Sequence, residues 1–305
     1  MLNSTLYAYP VKMAFLLILM MTVGLHAASL QAQVDARVRK FPGAVSIYAK
    51  NLDSGAVYTL RGDEPVRTAS TIKLALMVEA FGAVAEGRAK WTETVVLRDS
   101  DKVSGSGVVR ELSDGVWLPL RDLVNLMIVV SDNTATNLLV DRFTADAVNA
   151  RMAKMGFEQT RLMRKVRGDG TALKAAEGFS AAGKDAANQK YGLGRTSPHE
   201  MVRLIEMMAK GEVVNAGASA EMIEILKRQQ FTEGIGRRTG KLIVASKSGS
   251  LDALRSDVGI VYSAGGRIAM AITVEGMKDV NYSVDNIGTI LISELAGILV
   301  KGLGN

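Results

Sequence analysis

Cysteine is absent from this 305-residue chain, so no disulfide, thiolate metal site, cysteine nucleophile or lipid-anchored cysteine can be built. Histidine is nearly absent. Of the two, His26 lies in an apolar N-terminal stretch, which leaves His199 alone in the body of the chain. One histidine and no cysteine cannot assemble the usual zinc sites, so neither metal nor cofactor is expected. A Ser-His-Asp triad would have to use His199, and no G-x-S-x-G elbow occurs. Serine chemistry in this chain therefore needs a base other than histidine. Aromatic residues make up 5% of the chain and no Lys/Arg run is present, so the net charge of +6 reads as a diffuse solvated surface rather than a nucleic-acid footprint.

Hydrophobic residues are 48% and charged residues 22%, an ordinary globular composition. The only long apolar run is "MAFLLILMMTVGL" after Lys12, followed by "HAASLQAQ". A positive residue, a short apolar core and small residues predict a signal peptide over 1–29, cut after Ser29 or, alternatively, Ala32, with an uncleaved signal anchor as the other reading. Such a run is too short for a comfortable membrane span. The expectation is an exported, periplasmic or secreted monomer without stable membrane insertion, acting on a small molecule.

From residue 30 onward, one unit is expected. Strands are predicted at 43–52 and 56–61, a helix at 70–86 and an extended segment at 94–101. A Gly/Ser loop "VSGSGVV" precedes two helical patterns over 119–143, broken at Ser131-Asp132-Asn133. Helices follow at 145–156, 197–211 and 219–230, strands at 242–249, 255–263 and 266–275, and a closing helix at 282–302. Residues 164–195 lose periodicity and are glycine-rich, the mark of a functional or mobile loop. Strands at both ends around a helical block predict an α+β fold: an antiparallel sheet (about 36–66 and 213–305) flanked by terminal helices, with an inserted all-helical part (about 67–212).

Within "TASTIKLALMVEAF" (68–81), Lys73 falls in the first turn of a buried helix, where a cation is disfavoured. Ser70 precedes it by one turn, on the same face. Ser131-Asp132-Asn133 lies at a helix junction, and Lys247-Ser248-Gly249 ends a strand. Each alone has a plain structural reading, as a cap or a solvated lysine. Together, in this order, Ser-x-x-Lys, Ser-Asp-Asn and Lys-Ser-Gly resemble the motif set of the penicilloyl serine transferases, most closely class A β-lactamases. The contexts "ASTIK" and "NLMIVVSDNTATNLL" strengthen the resemblance, which runs from about residue 43 to the C-terminus.

The resemblance implies a nucleophile at Ser70, a base at Lys73 and a proton relay at Ser131. It also implies a substrate-amide contact at Asn133, carboxylate binding by Lys247 and Ser248, and close approach at Gly249. The oxyanion hole would be formed by the backbone N–H groups of Ser70 and Ser250. Arg255 reads either as a further carboxylate contact or as a strand-surface arginine. One family element is missing: the Glu-x-x-Leu-Asn loop that activates the deacylating water. Its expected place reads "RLMRKVRGDG" (161–170), with Asp169, Glu177 and Asp185 as the nearby acids. With deacylation the chain is a β-lactamase. Without it, the same machinery makes a penicillin-binding protein, a D-Ala-D-Ala peptidase or an esterase. A non-catalytic β-lactam or cell-wall sensor would need a signalling domain, and none is read along these residues.

Overall fold

The structure, a computed structural model, describes residues 30–168, 178–278 and 280–304. Its frame is a five-stranded sheet of β1 (Ala44–Asn51), β2 (Val57–Leu60), β8 (Ile243–Leu251), β9 (Leu254–Ser263) and β10 (Gly266–Glu275). The strand order is β2-β1-β10-β9-β8, with every neighbouring pair antiparallel. The α+β reading is therefore borne out. Two small sheets accompany it: β3 (Val66–Arg67), β7 (Gly194–Thr196) and β6 (Arg161–Leu162) in one, β4 (Thr94–Val96) and β5 (Trp117–Pro119) in the other.

Both faces of the main sheet are covered. Ile268, Met270, Ile272 and Val274 of β10 point one way, into a cluster with α1 (30–38) and α9 (Ile287–Leu303). Ala269 and Ala271, the alternate residues, face the larger core on the helical side. Period-two alternation thus survives inside a strand that reads as continuously apolar, because both of its faces are buried. Alanine on the helical face leaves room for α7 (Pro198–Ala209), which packs on β10 and β1.

The helical side is built round α2 (Lys73–Ala85), whose residues are buried from Lys73 through Ala83. A helix apolar all round belongs at a core's centre, and α3 (Leu120–Val129), α4 (Asn133–Phe143) and α5 (Ala145–Lys154) pack against it. α8 (Ala216–Lys227) packs against β8.

The structure moves several expected boundaries. Ser70 belongs to a tight 3-10 turn, Ala69–Ile72, and the α-helix starts only at Lys73. The extended segment at 94–101 shortens to Thr94–Val96, because Asp99–Asp101 turns as a 3-10 helix closed by Asp101. The closing helix starts at Ile287, after Asn286 caps it through Gly288 N (2.9 Å). The non-periodic region contains β7, the short α6 (Ala181–Lys184) and a 3-10 turn, Ala186–Tyr191. Among the described residues no helix is long and apolar enough to cross a membrane. The predicted signal peptide lies outside them.

Candidate active site

Two non-glycine residues at the motif serines have left-handed backbone: Ala69 (φ 46°), beside Ser70, and Ser131 itself (φ 53°). Each such conformation costs about 1–3 kcal/mol and persists only where the surroundings impose it. At Ala69 the chain leaves β3 and enters the 3-10 turn that leads into α2, and this turn presents Ser70, half-buried, at the wall of a cavity of about 560 Å³. At Ser131 the chain reverses between α3 and α4. Asp132 then caps α4 by accepting from Ala135 N (2.8 Å), and its other oxygen accepts from Val108 N (2.6 Å) and Val109 N (2.8 Å). The glycine-serine loop is stitched to the same junction. Asn133 N donates to Ser106 O (3.0 Å), and Asn133 Nδ2 donates to Ser104 O (3.1 Å). Loop and junction are one unit, and Gly105, Ser106, Ser131 and Asn133 share the cavity wall with Ser70.

Two fully buried lysines meet at Ser131. Lys73 Nζ donates to Ser131 O (2.6 Å), Ser131 Oγ (3.2 Å) and Asn133 Oδ1 (3.1 Å). Lys247 Nζ donates to the same Oγ (3.0 Å) and to Ser248 O (2.6 Å). Burial drives the Lys73 ammonium well below its usual range. The neighbouring charge of Lys247 adds to that push, and Asp132 opposes it. Lys247 is depressed by burial to about 7, against the pull of Asp257. Burial and Lys247 thus disfavour the charged form of this first-turn lysine, the direction that a base needs.

The geometry also departs from the sequence reading. Lys73 is bonded to the Ser131–Asn133 junction and not to Ser70, whose hydroxyl has no hydrogen bond among the described residues. Asn133, expected to hold substrate, has its oxygen on Lys73 and its amide on Ser104 O. Ser131 lies between two amines, a bridging position that motif spacing does not reveal.

β8 is the edge strand of the main sheet, so one side of its backbone is unpaired within the sheet and faces the 3-10 turn. Gly249 sits there so closely that a Cβ would lie 2.8 Å from Ser70 N, 2.9 Å from Thr68 O and 3.0 Å from Ala69 Cβ. Only glycine fits. Ser248 and Ser250 flank it at the cavity wall. Arg255, opposite Ser250 in β9, is buried rather than on a strand surface. Its guanidinium donates to Leu251 O and Leu254 O (both 2.6 Å) and to Asn281 O, and lies over the Tyr282 ring. Those carbonyls hold it in place at the cavity wall.

Asp169 and Glu177 lie outside the described residues. Asp185 is exposed and caps the Ala186–Tyr191 turn through Ala187 N (2.9 Å). The described part of the segment is pinned by Asn137, whose side chain accepts from Val166 N (2.8 Å) and donates to Val166 O (3.0 Å). Among the described residues of this segment, Val166, Gly168 and Leu193 line the cavity and no carboxylate does. Among the described lining residues the acids are Glu233 and Asp257, which sequence reasoning missed. An aspartate inside the apolar strand "RSDVGIVYS" was the available signal. Among the described residues no acidic or histidine cluster suited to a metal is found.

An antiparallel sheet with an inserted helical block, and Ser70 sharing a cavity wall with Ser131, on which two buried lysines converge, define a serine hydrolase fold of the β-lactamase/transpeptidase superfamily. The family model "Beta-lactamase enzyme family" matches residues 29–303, and the chain belongs to that family. Its fold is similar to that of a β-lactamase from Sphaerobacter thermophilus DSM 20745 (30% identity, 91% of this chain and 97% of that one, TM-score 0.77). It is also similar to PBP-A, solved as an L158E mutant in an acyl-enzyme complex with penicillin G (26% identity, 90% and 96%, TM-score 0.74). A class A β-lactamase from Mycobacterium abscessus shares the fold at 17% identity (90% and 100%, TM-score 0.75). No curated protein sequence matches. The chain is a serine β-lactamase-like hydrolase.

Proposed function

We propose that the chain opens β-lactam rings through an acyl-enzyme on Ser70 and hydrolyses that ester, as an exported β-lactamase. The observation that carries this is the convergence of two buried lysines on Ser131 beside Ser70. Neutral Lys73 takes the Ser70 proton as Oγ attacks the lactam carbonyl. The tetrahedral oxyanion is received by the backbone N–H groups of Ser70 and Ser250. As the C–N bond breaks, Ser131 gives its proton to the leaving nitrogen and is reprotonated from Lys73, so the base returns to its neutral form. Lys247, in its charged form, and Ser248 bind the substrate carboxylate, while Asn133 contributes to holding the substrate amide. Water then cleaves the ester.

A second reading is supported by Val166. Among the described residues of the 161–170 stretch, Val166 and Gly168 line the cavity and no carboxylate does, which favours a persistent acyl-enzyme, as in a penicillin-binding protein or D-Ala-D-Ala peptidase. Turnover of a chromogenic cephalosporin, lost in Ser70→Ala, is the outcome expected of a β-lactamase. A stoichiometric burst with a stable Ser70 adduct by mass spectrometry selects the second reading. No adduct overturns both.

A further inference from the structure

Asp257 is a carboxyl that the chemistry above does not use. It is 2% exposed and lines the active-site cavity. In the sheet it stands directly opposite Ser248, so the two side chains share a face. One oxygen is fixed: Oδ2 accepts from Ile235 N (2.9 Å), and a Cβ on Gly234 would stand 2.2 Å from that atom. Oδ1 is buried without a hydrogen-bond partner. A buried carboxyl oxygen without a partner is costly unless a ligand or a proton supplies what is missing.

Resting on the proposed function, we propose that Asp257 is a specificity-determining residue. Its acid form leaves the anion site at Ser248 uncompensated, and its ionisation places a negative charge beside Ser248 that repels the carboxylate on the leaving-group side of the substrate.

The surroundings favour the acid form near neutrality. Burial raises the Asp257 carboxyl to about 7 and nearby Glu233 adds to the rise, while the Ile235 and Val258 N–H groups and Lys247 on β8 oppose it. Arg255, on the same strand, is held by backbone carbonyls. The arginines of the Ile235–Arg238 turn bond elsewhere, Arg237 to Asp285 and Arg238 to Glu294. β10 places uncharged Ile272 opposite Asp257, and the α9 residues at the wall, Thr289 and Ile292, carry no charge. A neutral acid tolerates a carboxylate nearby, whereas an ionised one puts two negative charges in one poorly hydrated site. Recognition of anionic substrates therefore depends on the Asp257 proton as well as on the charge of Lys247.

The test is acylation of Ser70 by a penicillin and by its uncharged methyl ester, followed from pH 5 to 9 as separate KM-type and rate terms. For the free acid, the wild-type KM term is expected to steepen towards about a hundredfold per pH unit above 7, about tenfold from each of Asp257 and Lys247, while that for the ester stays flat. Lys247 titrates in the same range, so Asp257→Asn separates the two groups: its KM term should rise less steeply, with the rate term unchanged. Asp257→Ser asks the same question if the asparagine variant does not fold. Coincident wild-type and variant profiles, or no difference between acid and ester in the wild type, overturn the inference while the proposed function stands. If neither compound acylates Ser70 at any pH, the functional reading falls and this inference falls with it.

Discussion

Substituting Gly249 by alanine tests the claim that β8 and the nucleophile form one catalytic surface. The added methyl would meet Ser70 N at 2.8 Å and Thr68 O at 2.9 Å, whereas ordinary contact begins at 3.4 Å. Strand and turn must separate by about 0.5 Å or more. Both atoms are backbone, so no side-chain rotation relieves the clash. The oxyanion donors sit on the two sides of this contact, at Ser70 and Ser250. Losing one well-placed donor costs about 2.7–4 kcal/mol in comparable hydrolases. A partial displacement should take a large share of that, slowing Ser70 acylation about 30- to 300-fold. Overpacking should lower stability by only about 1–3 kcal/mol, leaving the chain folded at 25 °C. Rapid-quench labelling with a fluorescent penicillin reads the first quantity and urea unfolding the second. A folded Gly249→Ala acylating within threefold of wild type would refute the reasoning, because the strand would then not limit oxyanion geometry.

Two further outcomes concern stability. Glu79, 1% exposed on α2, accepts from Arg88 and Arg151. Glu79→Ala leaves Arg151 largely buried without that partner and should cost about 3 kcal/mol, seen as a lower urea midpoint; an unchanged midpoint would remove the ion network from the packing of α2 on α5. The Asp257 carboxyl, raised from 3.8 to about 7, binds a proton in the native state that the unfolded chain lacks between roughly pH 4 and 7. Its contribution to stability therefore falls as pH rises through that window, by about 1.4 kcal/mol per pH unit. Lys247, lowered from 10.5 to about 7, gives the opposite slope above neutrality. Urea titrations at several pH values should show the acid-side slope vanish in Asp257→Asn; if it persists, the proton sits elsewhere.

Much of the fold was legible because its signals are local. β1, β9 and β10 carry apolar runs closed by short turns, and α7 announces itself through Ser197, which caps it by accepting from Glu200 N (3.2 Å) just before Pro198. β3, β6 and β7 were not legible, being two or three residues long and defined by partners far along the chain. The 3-10 turn at Ser70 escaped for a related reason: the contact of Gly249 with Ser70 N joins residues 179 positions apart, and no local pattern encodes it.

The site divides in the same way. The sequence alone narrowed which chemistry is available, because without cysteine, and with one histidine outside its first thirty residues, thiol chemistry and the usual zinc sites are excluded and a serine nucleophile needs a base other than histidine. The motif order named the family, and Lys73 in a buried first turn pointed to a destabilised ammonium. Only the tertiary structure decided how these groups meet: Ser131 bridging two amines, Asn133 turned towards Lys73, Arg255 held by carbonyls, Asp257 facing Ser248. Hydrogen-bond partners and desolvation depend on what the folded chain brings together from distant positions. Motif spacing records which groups are present, and packing sets the charge each one carries.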